Sequence, residues 1–315
     1  MNILMVCMRD CTGYGYALMD AINQRTEHNA RLVSYRGPGI YGYPLDIVKP
    51  SVDVCHQLLQ WAHVLNIHSA AVRFLPAGVP CPPVVMTYHG TWYRNNWQAL
   101  NAVAKVNSYA QTCATLDLAR YGPTWVGRAM ADLTGMCERG KQGFWVSHAP
   151  TDLRGRKRGS KGTALVIAAL ADLPGVHLDV IKRTPHAGCL QRKARTHLLI
   201  DQVGERALGY GTNALEAWAM QLPVISYAPS PIVTYMQDVL QALPFYLACT
   251  VSEIRKAVSH FRDDSTLYQT WAQRGHEYVK RHHDPVTVAQ RFVQVCEKHV
   301  ACTGRGRVTL ENLCV

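Results

Sequence analysis

Short apolar runs rich in Val, Ile and Leu alternate along the chain with segments whose apolar residues recur at helical spacing. This alternation is typical of βαβ units built around parallel sheets, so the predicted fold class is α/β. The predicted strands are 2–7, 30–35, 63–67, 83–88, 110–115, 143–147, 177–182, 197–200 and 223–227. The predicted helices are 15–25, 97–107, 161–172, 212–221 and 252–262, with a further helical stretch over 267–299 that is broken at Asp284 and Pro285.

The series of strands restarts after the polar, glycine-containing stretch 138–143, which has the composition of a connector. At 315 residues the chain is also longer than one hydrophobic core usually serves. We therefore predict two Rossmann-like domains, over 1–142 and 143–285. A closing helix and tail follow over 286–315, and packing of this segment back on the N-terminal domain is an open alternative.

Composition indicates an ordered globular protein, because 48% of the residues are hydrophobic and only 17% are charged. The net charge of +11 is typical of proteins with a polyanionic neighbour, such as nucleic acid, anionic lipid or a phosphorylated ligand, and solubility alone is an equally weighted explanation. No apolar run approaches the roughly 20 residues that cross a bilayer. The N-terminus has no basic leader, and the eleven cysteines are scattered without a C-x-x-C pair. These features predict a reducing, cytoplasmic location and no metal site.

One segment of the C-terminal half has the pattern of a phosphate-binding turn. A strand ends at Asp201, a turn with Gly209 and Gly211 follows, and Thr212 is placed to cap a helix. Glycines let a ligand approach the backbone, and the amides and positive dipole end of a helix favour a phosphate. Glu216, one turn into the helix, is placed to accept hydrogen bonds from ribose hydroxyls. The alternative is an ordinary strand-loop-helix with a solvated glutamate.

A second glycine-containing loop, with Gly13, Tyr14 and Gly15, follows the first strand and opens a helix. A dinucleotide-binding G-x-G-x-x-G motif would need its third glycine at Leu18, so the loop matches the NAD-binding motif at only two of three glycines. A plain tight turn is the alternative interpretation of this loop.

Several segments, in their order along the chain, resemble the retaining glycosyltransferases of family 4. They are 61–69, 84–91 with the pair His89-Gly90, 144–151 followed by Lys161-Gly162-Thr163, 209–225, and 275–289. Their ordered combination, more than any single motif, carries the resemblance. It implies the GT-B fold, in which two Rossmann-like domains face each other across a cleft, the N-terminal one on the acceptor side and the C-terminal one binding the nucleotide-sugar.

The resemblance also implies an activity, which is transfer of a hexose-type sugar from a nucleoside-diphosphate donor to a hydroxyl with retention at the anomeric carbon. In such enzymes a lysine, matched here by Lys161, and a nearby arginine stabilise the charge that develops on the diphosphate. The basic loop 154–158 offers several candidates for that arginine, of which we select Arg158, and a solvated loop is the alternative. The implied catalytic residues are Lys161, His89, Arg158 and Glu216. The implied donor-binding residues are Gly13, Tyr14, Gly15, Lys161, Asp201, Gly209, Tyr210, Gly211, Thr212 and Glu216, and the candidate acceptor contacts are Trp92 and Arg94.

The chain departs from the family pattern at Leu208, where the first of two glutamates eight positions apart is usual. The donor sugar and the stereochemical outcome are therefore open, with Asp201 and Glu205 as candidate substitutes. No tightly bound cofactor and no metal are expected, because cationic side chains supply the stabilisation of the leaving group. Replacing Glu216 or Lys161 by Ala should abolish turnover and leave the fold intact.

Two acceptors remain candidates. One is a cell-envelope glycan or lipid-linked precursor at the inner membrane surface, and the other is a hydroxylated (hydroxymethyl) base in DNA. Two other classes are also open: a sugar-nucleotide epimerase of the same fold, with Asp10, Asp46 and Asp53 as its main candidate acids, and a non-catalytic basic nucleic-acid-binding protein. We expect a monomer without a transmembrane segment.

Overall fold

The structure is a computed structural model that describes residues 1–10, 12–39, 41–68, 71, 74–76, 79–88, 109–111, 125–138, 142–150 and 161–303. These residues group into two compact units. The first unit contains the described residues up to 111 together with 125–129 and 283–303. The second unit contains the described residues from 130 to 282.

Eleven strands and nine α-helices lie in the described part of the chain. The strands are β1 (Asn2–Cys7), β2 (Asn29–Ser34), β3 (Ile47–Val48), β4 (Val64–His68), β5 (Val84–Tyr88), β6 (Tyr109–Gln111), β7 (Phe144–His148), β8 (Val176–Val180), β9 (Leu198–Ile200), β10 (Val224–Ser226) and β11 (Tyr246–Leu247). The helices are α1 (Tyr14–Arg25), α2 (Val52–Trp61), α3 (Thr163–Leu170), α4 (His186–Ala194), α5 (Thr212–Ala219), α6 (Ser230–Asp238), α7 (Val251–Asp263), α8 (Ser265–His282) and α9 (Pro285–Thr303).

The first unit is built on a six-stranded parallel sheet with the order β3-β2-β1-β4-β5-β6. Successive residues of a strand point to opposite faces. In β1, Ile3 and Met5 accordingly pack with α1 and α9, whereas Leu4 and Val6 pack in a second cluster that includes Leu59 of α2. Helices therefore cover both faces of the sheet, which explains why β1 is a continuous apolar run instead of an alternating one.

The last helix of the described chain, α9, belongs to the first unit. Its buried residues Val288, Phe292 and Cys296 recur at every fourth position and form one core cluster with α1. Residues four apart lie on one face of a helix. The apolar stripe of α9 therefore completes the core on that face of the first sheet.

The second unit is built on a five-stranded parallel sheet with the order β11-β10-β9-β7-β8. Its core contains Val146 of β7, Ile200 of β9 and Ile225 of β10, packed against residues of α3 and α7. Strand β8 lies on one side of β7 and β9 lies on the other, so the strand order reverses at β7. In open α/β sheets, ligands bind outside the carboxyl ends of the strands at such a switch point.

The predicted α/β fold class with two Rossmann-like sheets is confirmed. All nine predicted strands occur, each beginning within one residue of its predicted start, and the helices predicted at 15–25, 212–221 and 252–262 are present. The helix predicted at 97–107 lies outside the described residues. The sequence missed the two-residue strands β3 and β11 and the helices α2, α4 and α6. In the part of the chain that the structure describes, no helix is both long enough and apolar enough to cross a membrane.

Residues 130–138, which the sequence placed in the N-terminal domain, group with the second unit. The amide of Leu133 donates to the carbonyl of Ala219 at the end of α5, and the amide of Glu138 donates to the carbonyl of Ala194 at the end of α4. These bonds attach residues 130–138 to α5 and α4 of the second unit.

Candidate functional site

Most of the described candidate residues meet at the carboxyl ends of β7 and β9, where the strand order of the second sheet reverses. His148 ends β7, and Asp201 directly follows β9. Lys161 precedes α3, and the turn that contains Gly211 leads into α5. Parallel strands bring their carboxyl ends to one edge of a sheet, and this is why residues 52 positions apart in sequence, such as Ser147 and Leu199, are neighbours here.

Asp201 joins Lys161 to the start of α5. Its Oδ1 accepts a hydrogen bond from Lys161 Nζ at 2.5 Å, and its Oδ2 accepts one from the amide of Gly211 at 2.6 Å. The Asp201 side chain is fully buried, and that of Lys161 is 11% exposed. An ammonium carries three donors, and the contact with Asp201 uses one of them. The pair therefore fixes a cation at the entrance to α5.

Helix α3 begins at Thr163, two residues later than the sequence predicted, because Gly162 adopts the left-handed conformation with φ 72°. A Cβ atom at this position would lie 2.4 Å from the carbonyl oxygen of Val203, a distance that real Cβ atoms do not reach. The Val203 amide in turn donates to the carbonyl of Lys161. Glycine at 162 thus lets the backbone that carries Lys161 lie directly against the segment after Asp201.

We expect Gly162→Ala to lower the free energy of unfolding by more than the matched variant Gly175→Ala. Both glycines have φ near 70°, but the space around a Cβ at Gly175 is open. Left-handed backbone costs an alanine about 1–2 kcal/mol, and only Gly162→Ala adds a clash with backbone. Urea unfolding of the two variants measures the difference, and equal losses would contradict the close approach at Val203.

The turn before α5 differs in detail from the sequence prediction. Gly211, not Thr212, is the residue before the helix, and Thr212 is the first helical residue, so its predicted capping role is wrong. The amide of Gly209 donates to the carbonyl of Tyr227, and that of Gly211 donates to Asp201. The amides of Thr212 and Asn213 then occupy the positions at which helix geometry leaves N–H groups without an intrahelical acceptor.

The side chain of Tyr210 lies in the core of the second unit, with only 2% of the residue exposed. Its hydroxyl is 2.6 Å from the hydroxyl of Tyr278 on α8, and its ring meets Trp218 edge to face. Gly275 of α8 permits this packing, since a Cβ there would lie 2.1 Å from Trp218. Tyr210 therefore anchors the turn to α8, and a donor contact through its side chain is not what this geometry provides.

Glu216 is buried beneath the first turn of α5, with 4% of its side chain exposed, so it is not the solvated glutamate of the alternative interpretation. Its Oε2 accepts a hydrogen bond from Lys193 Nζ, and its Oε1 accepts one from His186 Nε2 at 2.9 Å. Burial opposes the charged form, but the ammonium of Lys193 and the bond from His186 outweigh it and lower the pKa of Glu216 to about 2. Glu216 is therefore a carboxylate throughout the physiological range.

Lys193 and His186, both on α4, are site residues that sequence reasoning missed. Lys193 has no solvent exposure, and its Nζ also donates to Asn213 Oδ1 at 2.5 Å. Burial lowers the pKa of this lysine, but the carboxylate of Glu216 reverses that effect, so the net change is upward. Three of the four residues at 192–195 are basic, which is the pattern of a solvated surface, and no sequence signal marked Lys193 as buried.

His148, the last residue of β7, connects β9 to α3 through two hydrogen bonds. One ring nitrogen lies 2.8 Å from the carbonyl of Ile200, and the other lies 2.9 Å from the hydroxyl of Thr163. Burial lowers the pKa of His148 to about 4, so the ring is neutral at physiological pH. It supports the site through hydrogen bonds and adds no charge to it.

The loop 13–15 lies in the first unit. Gly13, with φ 67°, precedes α1, and a Cβ on Gly15 would lie 3.3 Å from an Asp10 carboxylate oxygen. The same oxygen accepts a hydrogen bond from the amide of Tyr16 at 2.9 Å, and burial raises the pKa of Asp10 although the amides oppose it. Tyr14 is buried, and its ring centroid lies 5.8 Å from that of His68. Asp10 therefore holds the start of α1.

The structure brings Lys161, Asp201, Gly211 and Glu216 together around the first turn of α5, within one unit. Asp201 links Lys161 to that turn, because it accepts hydrogen bonds from Lys161 and from the amide of Gly211. Lys193 links Glu216 to the turn, because it donates to Glu216 and to Asn213. Four other candidates, His89, Trp92, Arg94 and Arg158, lie outside the described residues, as does the rest of the basic loop 154–158. Among the described residues, no three His, Cys, Asp or Glu side chains are placed to share a metal ion.

Neither a protein-family model nor a curated protein sequence matches the chain. Solved structures do match it in fold. Alr3699/HepE of Anabaena, in complex with UDP and glucose, has a TM-score of 0.66 and 13% identity, with 94% of this chain and 99% of that chain covered. An alpha-glucosyltransferase in complex with UDP and a 13-mer DNA containing an HMU base has a TM-score of 0.63 and 10% identity, with 94% and 99% covered. MnaA of S. aureus, in complex with UDP, has a TM-score of 0.56 and 11% identity, with 95% and 97% covered.

The similarity covers nearly the full length of this chain and of each of the three matched chains, and all three matched structures contain UDP. The TM-scores and the coverages show that the fold is shared. The chain therefore shares with these structures a fold of two Rossmann-like α/β units, the GT-B fold.

Proposed function

We propose that this protein is a glycosyltransferase that moves a sugar from a nucleoside-diphosphate donor to a hydroxyl acceptor. One observation carries the proposal: a cation, Lys161, and a buried carboxylate, Glu216, flank the amino-terminal turn of α5 at the switch point of a parallel sheet. A diphosphate and a ribose are the two ligand groups that such a pair suits. The bound UDP of the similar structures gives the proposal independent support.

The diphosphate is assigned to the start of α5. The amides of Thr212 and Asn213 point out of the helix there, and the positive end of the helix dipole favours an anion. Lys161 neutralises the charge that develops on the diphosphate as the glycosidic bond breaks, which lowers the barrier without a metal ion. Asp201 acts on the donor through Lys161 and Gly211, because its two oxygens already accept hydrogen bonds from these residues.

The ribose is assigned to Glu216. Each oxygen of an ionised carboxylate has two acceptor sites, and each oxygen of Glu216 accepts one described side-chain bond. One site on each oxygen is therefore left for the two ribose hydroxyls. The remaining parts of the proposal come from the family resemblance. It assigns His89 to the donor sugar, Arg158 to the diphosphate and the loop 13–15 to the donor. It assigns Trp92 and Arg94 to the acceptor, and it implies retention of configuration.

The acceptor we propose first is a cell-envelope glycan or lipid-linked precursor. Two observations favour a second candidate, a hydroxylated base in DNA: the net charge of +11, and the likeness to an alpha-glucosyltransferase that was crystallised with DNA. Binding to DNA should weaken steeply with salt because phosphate contacts release counterions, whereas a neutral glycan should show little salt dependence. Mass spectrometry of DNA and of cell-envelope fractions after expression identifies the modified acceptor directly.

The donor half of the proposal is tested by thermal unfolding in the presence of UDP-, ADP- and GDP-sugars. A ligand at 100 times its dissociation constant stabilises the folded state by about 2.7 kcal/mol, so one class of donor should raise Tm by several degrees. Lys161→Met should reduce this shift, and Lys256→Met, which changes an exposed lysine on α7, should not. If no donor changes the Tm of the wild-type protein, the proposal is wrong.

A further inference from the structure

We propose that Lys193 is a positioning residue that holds Glu216 as a permanent hydrogen-bond acceptor, so that the donor site selects ribose over 2′-deoxyribose at every physiological pH. The inference rests on the proposed function, because it concerns the same nucleotide site.

Lys193 is buried within a solvated segment. Its side chain has no solvent exposure, although Gln191 and Arg195 of the same segment are exposed. A buried ammonium is unfavourable unless it is paired and hydrogen-bonded. Lys193 meets this condition by donating to Glu216 and to Asn213, and the Asn213 amide donates to the carbonyl of Ala149 at 3.0 Å. This network joins α4, α5 and the residue after β7.

The other oxygen of Glu216, Oε1, contacts His186. An ionised carboxylate has no hydrogen to donate, so the Nε2 atom of His186 must carry the proton in the 2.9 Å bond to Oε1. The side chain of His186 is 25% exposed, whereas that of Glu216 is 4% exposed. His186 thus forms the edge of the site, and the carboxylate below it is oriented from both sides.

The charged and titratable groups facing this pair come from two segments. Cys189 and His186 lie on α4 with Lys193, and Asp201 follows β9 and favours the charged form of Lys193. Burial alone raises the pKa of a carboxyl group, and the Lys193 ammonium is the largest influence that lowers it for Glu216. Without Lys193 the carboxyl group of Glu216 should therefore protonate at a higher pH. The protonated group has fewer acceptor sites for the ribose hydroxyls.

The test compares the affinities of UDP, ADP and GDP with those of their 2′-deoxy forms, by calorimetry from pH 5 to pH 8.5. Wild-type protein should prefer the ribonucleotide by about tenfold or more, because a missing hydroxyl leaves a buried acceptor unsatisfied, and this ratio should be constant with pH. In Lys193→Met the ratio should fall towards one at the acidic end and recover at the alkaline end. Glu216→Gln should lower the ratio at every pH, and Lys256→Met should match the wild type.

A merely structural lysine would change overall affinity without giving the ribose preference a pH dependence. If Lys193→Met binds with a constant, wild-type ratio, the inference is wrong and the proposed function stands. A wild-type ratio that titrates between pH 5 and 8.5 also overturns it, and this measurement decides the matter even if Lys193→Met does not fold. Wild-type protein that binds none of the three ribonucleotides overturns the proposed function and the inference together.

Discussion

Lys161→Met is expected to lower kcat for sugar transfer by about 100- to 1000-fold, the usual effect of removing one preorganised group that stabilises developing charge. The ammonium lies at the start of α5, held by Asp201, where the departing diphosphate is assigned. Because its interaction strengthens as negative charge develops, kcat should fall more than the apparent affinity for the donor. Steady-state kinetics with the donor selected by thermal unfolding measures both quantities.

The variant also removes the cation that pairs with the fully buried carboxylate of Asp201, so its unfolding free energy must be measured beside its activity. The double variant Lys161→Met with Asp201→Asn keeps the shape of the pair without either charge and should recover stability but not activity. Lys256→Met controls for the loss of one positive charge. Activity of the single variant within about threefold of wild type would contradict the assigned role, since losses that small require no lost transition-state contact.

The sheets could be predicted from the sequence because parallel strands that are buried on both faces consist of continuous apolar runs. The runs that contain Ile3 to Val6 and Leu198 to Ile200 are of this kind, and both form strands. Strands β3 and β11 have only two residues each and lie at the sheet edges, so they carry too little apolar pattern to be recognised.

The candidate site could be predicted in part, because a strand end followed by a glycine turn and a helix fixes where Asp201 and Glu216 stand along the chain. Their partners could not be predicted from local pattern. Lys193 and Glu216 are 23 positions apart, and a lysine inside a basic run gives no sign of burial until the fold places a carboxylate against it. Helix α4 itself escaped prediction, since it begins with His186 and contains Gly188, two residues of low helix propensity.

The ion pair between Lys193 and Glu216 also predicts how the stability of the second unit depends on pH. Its pKa is lowered from 4.5 to about 2 in the folded state, so the unfolded chain binds protons more readily in this range. The stability that Glu216 contributes is therefore fully present above about pH 4.5 and is lost as the pH falls through about 2. Acid therefore removes the contribution of Glu216 to the stability of the second unit.

Glu216→Ala is expected to lower the free energy of unfolding by about 3–5 kcal/mol near neutral pH, the usual cost of leaving a buried charge without its partner. The sequence alone suggested that this variant would keep its fold intact, but the structure places the Lys193 ammonium in full burial against the carboxylate. Urea unfolding measures the loss. The double variant Glu216→Leu with Lys193→Met removes both charges and should recover most of the stability while still failing to bind donor. A single variant as stable as wild type would show that Lys193 does not depend on Glu216.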